Sequence, residues 1–512
     1  MLGYFEILCG IAALLFAFYY YSTANFNYWK DRGVVGPKPL PFFGNTKDLM
    51  FPIVSVPEFS RDIYLKYKGE RMVGLFMQRS PVIFLKDPEL IKDVLIKDFS
   101  KFSDRGFKVY EKTEPLSQHL FNLETKRWRP LRSKLSPMFT SGKLRDMFGL
   151  ILECSEHFKQ YLDKVVAKGE PIDIPDLTGK FTTDVIGSCA FGIDTNSLAD
   201  EESEFRKVGK QIFTPTFGNV LRLKTSIYLP KLYELLGYIV PDKKFAPFFT
   251  KVVIDTMMYR KEHNIHRPDF INMLMELKDH PQKVDDISKF NIYITRIRNY
   301  LITAQAFVFF AAGFETSSTT MSNALYELAQ NHDIQDRLRK EIEEHFKNSD
   351  GNLKYEHIKE MEYLDKVFKE TLRKYPPGAL LPRTATSDYT FDGTKASISK
   401  GMLVWIPIFA IHRDPEIYPN PEVFDPERFN EDAVDARHPM SYLPFGDGPR
   451  NCIGARFAVY QTKLGLITII RNYKVDICEK TIIPYHFAPG QTQSNLMTQS
   501  NILRRKKTRK II

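Results

Sequence analysis

A single cysteine, Cys452, lies in a glycine-rich loop directly before a segment with helical periodicity. Apolar residues recur in that segment at positions 457, 460, 464 and 467, a spacing that predicts a helix. The sulfur would then lie near the positive end of the helix dipole, where a thiolate is favoured. Glycines at positions 446, 448 and 454 would let backbone N–H groups approach it, and such hydrogen bonds tune a metal-bound thiolate. The alternative for any single cysteine is a buried, inert side chain.

The wider motif around this cysteine has the order Phe-x-x-Gly-x-Arg-x-Cys-x-Gly, formed by Phe445, Gly448, Arg450, Cys452 and Gly454. It resembles the haem-binding signature of the cytochrome P-450 family. The resemblance implies that Cys452 is the axial ligand of haem b, iron protoporphyrin IX. It also implies a mainly α fold with a minor β part, in which a single large haem domain follows an N-terminal transmembrane helix.

One domain is expected although the chain has 512 residues, a length that alone suggests two or three domains. No glycine–serine or proline-rich linker divides the interval between Trp128 and Cys452. Most segments after Asp87 have the pattern of amphipathic helices, while residues 71–85 and 384–404 predict short strands and turns.

A predicted apolar helix that begins near Ile302 contains Gly313, followed by Glu315 and Thr316 side by side. Glycine weakens a helix, and the threonine hydroxyl can bond to the carbonyl one turn earlier and bend it. The alternative is an ordinary helix in which the glycine permits close packing. The segment resembles the oxygen-binding stretch of the family, which implies that Thr316 holds water and that Glu315 supplies protons.

Glu370 and Arg373 are three residues apart on a predicted helix and therefore share one face. Such pairs are usually solvated and contribute little to stability. The later segment Phe424–Phe429 contains Arg428 and resembles the second arginine motif of the family. The resemblance implies that Glu370, Arg373 and Arg428 form a buried structural triad.

Further cations are candidates to bind the haem propionates, which need positive or N–H partners where water is excluded. Trp128 and Arg132 are four apart on a basic helical segment and would point the same way. With Arg383 and Arg450 they occupy the positions at which the family contacts propionates. Arg105 is a looser match, and for it a plain surface charge is the strongest alternative.

The first segment, from Leu2 to Tyr21, is almost wholly apolar or aromatic and is about long enough to cross a bilayer. We expect residues 1–24 to be a membrane anchor, 25–45 a basic, proline-rich hinge and 46–512 the haem-thiolate monooxygenase domain. A cleaved signal peptide is the rival, but it would need a basic start, and the first basic residues are Lys30 and Arg32. The positive-inside rule places the body in the cytoplasm, and the family resemblance implies the endoplasmic reticulum membrane. Tyrosines 19–21, Tyr28 and Trp29 are expected to form an interfacial aromatic belt.

An electron donor must come from outside, because the chain contains no strand–Gly-x-Gly-x-x-Gly–helix unit for a dinucleotide. The resemblance implies NADPH–cytochrome P-450 reductase, with a small acidic cytochrome as a further partner. The net charge of +10 is compatible with nucleic acid, a membrane surface or an acidic protein, but no nucleic-acid motif is present. Arg450, Arg456 and Lys463 flank the cysteine loop and are expected to favour docking of the donor. Five cysteines, an odd number without paired spacing, indicate a reducing compartment.

The expected reaction inserts one oxygen atom of O2 into a lipophilic small molecule. Segments such as 139–144 and 304–307 look most like insect microsomal enzymes that oxidise plant toxins and insecticides. The same likeness implies a substrate pocket, although each of its residues could equally be ordinary core. These residues are Phe107, Phe307, Ala311, Ala312, Ala379 and Leu381.

Three other functions remain open at this point. One is a haem-thiolate isomerase that rearranges peroxides, against which the Glu315–Thr316 pair and the anchor argue. Another is an oxidase of endogenous hormones or lipids. The third is an anchored lipid-binding or haem-carrying module, which the four motifs in family order disfavour. Two stretches depart from the family pattern, residues 292–297 and 491–503.

Overall fold

The structure, a computed structural model, describes residues 2–195, 197–198, 203–214, 216–239, 245–279, 293–349, 351–485, 487 and 502–504. Helices dominate and a small β part accompanies them, which confirms the predicted fold class. The α-helices are α1 (Leu2–Thr23), α2 (Lys47–Met50), α3 (Val56–Lys66), α4 (Pro88–Lys92), α5 (Thr125–Leu135), α6 (Ser141–Ala167), α7 (Ile174–Ile186), α8 (Glu204–Phe213), α9 (Phe217–Tyr228), α10 (Pro230–Ile239), α11 (Phe245–Glu262), α12 (Phe270–Asp279), α13 (Tyr293–Gln330), α14 (His332–Asn348), α15 (His357–Glu360), α16 (Glu362–Lys374), α17 (Ile408–Ile411), α18 (Glu431–Asp435) and α19 (Ala455–Asn472). The strands are β1 (Met72–Met77), β2 (Ser80–Leu85), β3 (Leu381–Thr384), β4 (Tyr389–Thr390), β5 (Ser397–Ile398), β6 (Leu403–Ile406), β7 (Lys474–Asp476) and β8 (Ile502–Arg504).

The largest sheet has the strand order β1–β2–β6–β3. Its β2–β6 pair is parallel, whereas β1–β2 and β6–β3 are antiparallel. Two short antiparallel pairs, β4–β5 and β7–β8, lie outside it. The strands predicted at residues 71–85 and 384–404 correspond to β1, β2 and β4 to β6.

Two hydrophobic clusters form the core. The larger one joins the helices and includes Phe181 of α7, Phe310 of α13 and Leu466 of α19. The smaller one packs the sheet against α3 and α4 and includes Phe84 and Val404. Because α13 runs through the larger cluster and contacts both α7 and α19, it holds the centre of the helical part in place.

Helix α13 differs from its prediction in two respects. It begins at Tyr293 and not near Ile302. The sequence predicted the later start because polar residues between these positions interrupt the apolar pattern. It also runs through Gly313 without a break. A Cβ at Gly313 would crowd Ile186 of α7, so this glycine permits close packing, the alternative interpretation. Of the two stretches that depart from the family pattern, Ile292 and residues 491–501 lie outside the described residues.

The N-terminal helix α1 contains a segment, Gly3–Thr23, that is long and apolar enough to cross a membrane, and no residue of its 18-residue apolar window is buried in the protein. Its exposed apolar side chains are compatible with the predicted anchor. Trp29, however, does not belong to an interfacial belt. It is only 3% exposed, and its indole N–H donates to the Leu75 carbonyl at 2.8 Å. The ring fits because Gly74 has no side chain; a Cβ at this position would overlap the ring.

The hinge segment 25–45 lies along β1. The Val35 carbonyl accepts from the Gly74 N–H at 2.8 Å, and Asn45 N–H donates to the Phe76 carbonyl at 2.8 Å. The Asn45 side chain in turn accepts from the Phe76 N–H at 2.8 Å. This connector is therefore packed against the body and is not a free spacer.

Candidate active site

The cysteine loop is held by glycines whose backbone only glycine adopts readily. Gly446 and Gly448 have φ angles of 67° and 73°, in the left-handed region. A Cβ at Gly448 would also overlap the Leu95 carbonyl oxygen. The Cys452 N–H closes the loop by donating to the Phe445 carbonyl at 2.9 Å, and α19 starts three residues after the cysteine. The predicted position of Cys452, just before a helix, is confirmed.

The side chain of Cys452 is accessible, yet the surrounding protein raises the pKa of its thiol by desolvation. A side chain that lines an internal cleft can have accessible surface and still be surrounded by enough protein to be desolvated. A hydrogen bond from the Gly454 backbone and the positive charges of Arg105 and Arg132 act in the opposite direction and lower this pKa. Because burial is the larger influence, we expect the thiolate to need a bound metal cation, which deprotonates a coordinating thiol.

Two arginines bind the backbone directly before Cys452. Arg105 donates from Nη2 to the Arg450 carbonyl at 2.9 Å. Arg132, on α5, donates to the carbonyl and the side-chain oxygen of Asn451 at 3.0 and 2.9 Å. The predicted propionate candidates Arg105 and Arg132 therefore meet at the cysteine loop.

Arg383 and Arg450 are each 1% exposed. Arg450 donates to the Ser103 carbonyl at 2.7 Å and to the Leu123 carbonyl, and its guanidinium carbon lies 4.7 Å from the centre of the buried Trp128 ring. Burial lowers the pKa of Arg383 to about 9 and that of Arg450 to about 10. For Arg383 the charge of Arg450 is a second cause.

None of these four cations has a directly paired carboxylate among the described residues. Within the part of the chain that the structure describes, no carboxylate forms a salt bridge with Arg105, Arg132, Arg383 or Arg450. Nε and Nη2 of Arg383 and Nε of Arg450 are buried without a hydrogen-bond acceptor. Buried charges are costly unless they are paired. Two carboxylates of a bound molecule would satisfy these donors, and the haem propionates therefore fit the cluster.

One face of α13 forms a second wall of the cleft; the first wall is the cysteine loop with its arginines. Val308, Ala312 and Thr316 recur every four residues and are accessible, whereas residues 317–329 of the same helix are buried. The Thr316 hydroxyl donates to the Ala312 carbonyl at 2.6 Å, as the sequence predicted. Gln461 of α19, nine residues after Cys452, donates to the Gly313 carbonyl at 3.4 Å, which brings this face towards the cysteine helix.

Glu315 is a half-buried carboxyl group next to this face. Burial raises its pKa to about 7, and the charge of Arg206 opposes that shift. A carboxyl group with this pKa changes protonation near neutral pH, which is the property required of a proton donor in an enzyme.

Glu370 and Arg373 form a bidentate pair at 2.7 and 2.8 Å, and both side chains are fully buried. Nε of Arg428 lies 3.5 Å from the same carboxylate. Burial raises the pKa of Glu370, and its bond to Arg373 opposes this effect. The three predicted residues therefore lie together in the interior, and the solvated pair is excluded.

His412 was missed by the sequence analysis. Its carbonyl accepts from Arg373 at 2.9 Å, and its Nε2 accepts from the Leu443 N–H at 2.9 Å. Burial lowers its pKa to about 3, so the ring is neutral and can accept this hydrogen bond. His412 thereby connects the buried triad to the segment that enters the cysteine loop.

Aromatic rings form a third wall of the cleft. Phe107 and Phe121 lie 5.4 Å apart, and the ring of His119 lies 6.4 Å from Phe121 and 6.3 Å from Phe307. Phe121 and His119 were not predicted, because a lone aromatic residue in a loop carries no periodic signal. Of the other predicted pocket residues, Ala311, Ala312 and Leu381 have accessible surface, whereas Ala379 is fully buried.

The predicted docking cations are not all on the surface. Arg450 is buried, as described above, and Lys463 is 2% exposed and pairs with Asp365 at 2.6 Å. Only Arg456 of the three is exposed. The prediction for Arg450 and Lys463 is therefore wrong, because backbone carbonyls and an acidic partner in the interior allow both to be buried.

A separate cavity of about 310 Å³ lies beside α6 and α7. Its lining is polar and includes the carboxylates Glu153 and Asp184 and the cations Lys164 and Arg267. None of the predicted site residues lines it, so we assign it no part in the chemistry of Cys452.

An accessible cysteine beside a group of arginines that pair with no carboxylate among the described residues, within a mainly helical fold, is the arrangement expected of a haem-thiolate protein. The family model described as Cytochrome P450 matches residues 34–501. The chain therefore belongs to the cytochrome P450 family, and it is an oxidoreductase of the monooxygenase type that uses haem.

Its relatives include insect enzymes of family 6. The chain is similar to Cytochrome P450 6a2 of Drosophila melanogaster, with 44% identity over 94% of this chain and 95% of the relative. It is 40% identical to Cytochrome P450 6A1 of Musca domestica over 95% of this chain and 96% of the relative. It is also 40% identical to Cytochrome P450 6k1 of Blattella germanica, with 96% and 94% covered. The resemblance to insect members of the family is thereby confirmed.

Proposed function

We propose that this enzyme inserts one oxygen atom of O2 into lipophilic xenobiotics, such as plant toxins or insecticides, and releases the other as water. The observation that carries the proposal is the group of four arginines near Cys452, of which Arg383 and Arg450 are buried, without salt-bridge partners among the described residues. The similarity to insect family 6 enzymes supports xenobiotic substrates. The aromatic wall of Phe107, Phe121 and Phe307 supports a lipophilic pocket.

Two measurements test this function. The reduced protein with carbon monoxide should show the red-shifted Soret band of a thiolate-ligated haem. Consumption of NADPH should then depend on both the reductase and a lipophilic substrate. A haem-thiolate isomerase would turn over without the reductase, and a haem-carrying module would not turn over at all.

The cofactor in this proposal is haem b. Cys452 would bind its iron, and Arg105, Arg132, Arg383 and Arg450 would bind its propionates next to Trp128. When bound, the haem supplies the binding and reductive activation of O2. As its ligand, Cys452 would donate electron density to the iron, a property that favours cleavage of the O–O bond.

Thr316 and Glu315 would manage the protons. The Thr316 hydroxyl directs its own proton to the Ala312 carbonyl, which leaves its oxygen lone pairs free to accept from a water in the cleft. Glu315 can give up a proton near pH 7 and be protonated again. Together they would hold a water and keep it supplied with protons.

Replacement of Glu315 by glutamine is expected to slow substrate oxidation and to remove its pH dependence near neutrality. The protonated fraction of Glu315 falls as pH rises through about 7, so the wild-type rate should decline over that range if this group donates the proton. Product formation is measured between pH 6 and 8. The exposed Glu262→Gln on α11 serves as the control. A Glu315→Gln enzyme with the wild-type pH profile would exclude the role.

Replacement of Thr316 by alanine is expected to divert electrons from product to peroxide, because the water that it holds is lost. The yield of product per NADPH should fall by about 100-fold or more, the lower end of the range for a lost proton-transfer group. Peroxide and product are measured together. Thr320→Ala removes a hydroxyl that bonds back to Thr316 in the same way and should change the yield little. Equal loss in both variants would contradict a special role for Thr316.

Electrons would come from NADPH–cytochrome P450 reductase, with a small acidic cytochrome as a second donor. The net charge of +10 and the exposed Arg456 near the cysteine loop support an acidic partner. Salt should therefore raise the reductase concentration needed for half-maximal turnover.

The protein would be anchored in the endoplasmic reticulum membrane by residues 1–24, with residues 46–512 in the cytoplasm. Helix α1 supports the anchor. Apolar side chains on α9 and α10, including Phe217, Leu221, Leu235 and Ile239, are also exposed and would suit a lipid surface. We expect the full chain to sediment with microsomes and its body to be degraded by added protease without detergent. Protection of the body would place it in the lumen.

A further inference from the structure

The loop that precedes α5 is fastened to α13 by one buried side chain. Gln305 accepts from the Leu120 N–H at 2.9 Å and donates to the Gln118 carbonyl at 3.0 Å. It also donates to the Leu301 carbonyl of its own helix at 2.9 Å. Gln305 is therefore hydrogen-bonded to the backbone on both sides of His119, and these bonds fix the position of His119 relative to α13.

The imidazole of His119 is set within the aromatic wall between Phe121 and Phe307. Burial lowers its pKa to about 4, and the charge of Arg105 contributes. The ring is therefore neutral at physiological pH, with one nitrogen that donates and one that accepts.

The two ring nitrogens have different surroundings. Nδ1 is buried and has no hydrogen-bond partner among the described residues, while the backbone of His119 itself raises the pKa of the ring, against the larger effect of burial. A backbone group that raises this pKa favours the proton on the ring, and Nδ1 is the ring nitrogen closer to the backbone in a histidine side chain, so we assign the proton to Nδ1. Nε2 then carries the lone pair. It forms no hydrogen bond with any residue of the described ranges and does not belong to the buried polar atoms, so it is accessible from the cleft.

We propose that Nε2 of His119 accepts a hydrogen bond from a hydroxyl or N–H group of the substrate, and so selects neutral lipophilic molecules that carry one such donor. The inference rests on the proposed function, in which the aromatic wall lines the substrate pocket. A site built to hydrogen-bond one substrate group discriminates against analogues without it, because its own polar atom is then left unpaired. The nearby positive charge of Arg105 disfavours ammonium donors.

The test compares matched ligands on the haem-loaded full chain. The probes are two pairs: 1-naphthol with 1-methoxynaphthalene, and 4-phenylphenol with 4-methoxybiphenyl. In each pair the second compound is the methyl ether of the first and lacks its O–H donor. Dissociation constants are measured by equilibrium dialysis for the wild type and three variants. His119→Phe keeps the ring and removes the nitrogen, His119→Gln keeps an acceptor, and Phe121→Leu reduces the apolar wall. The carbon monoxide spectrum of each variant shows whether its haem site is intact.

The wild type should bind each phenol more tightly than its ether. His119→Phe should reduce that preference by about 5- to 10-fold, the effect of one hydrogen bond, and His119→Gln should retain most of it. Phe121→Leu should weaken both members of a pair alike. A wild type without preference for the phenols, or a His119→Phe variant that keeps the preference, would overturn the inference. Loss of the thiolate spectrum in the wild type would refute the proposed function instead, so the two failures are distinguishable.

Discussion

Cys452→Ser is expected to abolish the red-shifted Soret band of the reduced, carbon monoxide-treated protein and to reduce substrate oxidation by more than about 100-fold. Substitution of a residue that only supports a metal ligand typically lowers metal affinity or activity by about 10- to 100-fold. The effect of Cys452→Ser should be larger, because it removes the ligand atom itself. Serine matches cysteine in shape but is a far weaker acid, so it does not supply the anionic, polarisable sulfur that favours O–O cleavage.

The matched control is Cys478→Ser. Cys478 is half-buried and bonds locally to Thr481, so its replacement should leave spectrum and turnover within about twofold of the wild type. Haem content and helical circular dichroism of both variants establish that they fold. If Cys452→Ser keeps the spectrum and the turnover of the wild type, the ligand assignment is wrong.

Arg373→Ala is expected to prevent accumulation of folded, haem-loaded protein. It would leave the fully buried Glu370 carboxylate without its bidentate partner and remove bonds to the His412 and Pro421 carbonyls. Breaking a buried pair in this way costs about 3–5 kcal/mol, a large part of the total stability of about 5–15 kcal/mol for a native protein. Arg373→Lys should fail as well, because an ammonium group does not reproduce the planar fork.

The control for this prediction is Glu344→Ala on α14. Glu344 and Lys340 are exposed and 4.0 Å apart at i, i+4 spacing, and such pairs contribute about 0.3–0.5 kcal/mol. Urea denaturation and the yield of carbon monoxide-binding protein measure the outcome. An Arg373→Ala protein that unfolds at the wild-type urea concentration would show that the triad does not hold the fold together.

The features predicted correctly from the sequence are local in the chain. The cysteine and its helix are adjacent, Glu370 and Arg373 are one turn apart, and the Thr316 hydroxyl reaches back four residues. Periodicity and spacing carry such relations directly. The choice of Arg105, Arg132, Arg383 and Arg450 as one group followed from the family resemblance and not from spacing.

What escaped prediction depends on partners far apart in the chain. His119 acquires its position from Gln305, whose bond to Leu120 spans 185 residues. His412 acts through Leu443 and Arg373, which belong to other segments. Arg450 was also expected at the surface, because its interior partners, the Ser103 and Leu123 carbonyls, are more than 300 positions away. Backbone carbonyls leave no trace in a residue pattern, so only the fold reveals them.

The burial of Trp29 limits how far the catalytic body can move from a bilayer. Helix α1 ends at Thr23 and the indole is bound to β1, so a tether between them has at most five residues. At about 3.5 Å per extended residue, that tether reaches roughly 20 Å, less than the thickness of the hydrocarbon layer. With α1 inserted in a bilayer, the body is confined to the membrane surface, where lipophilic compounds dissolved in the lipid are concentrated.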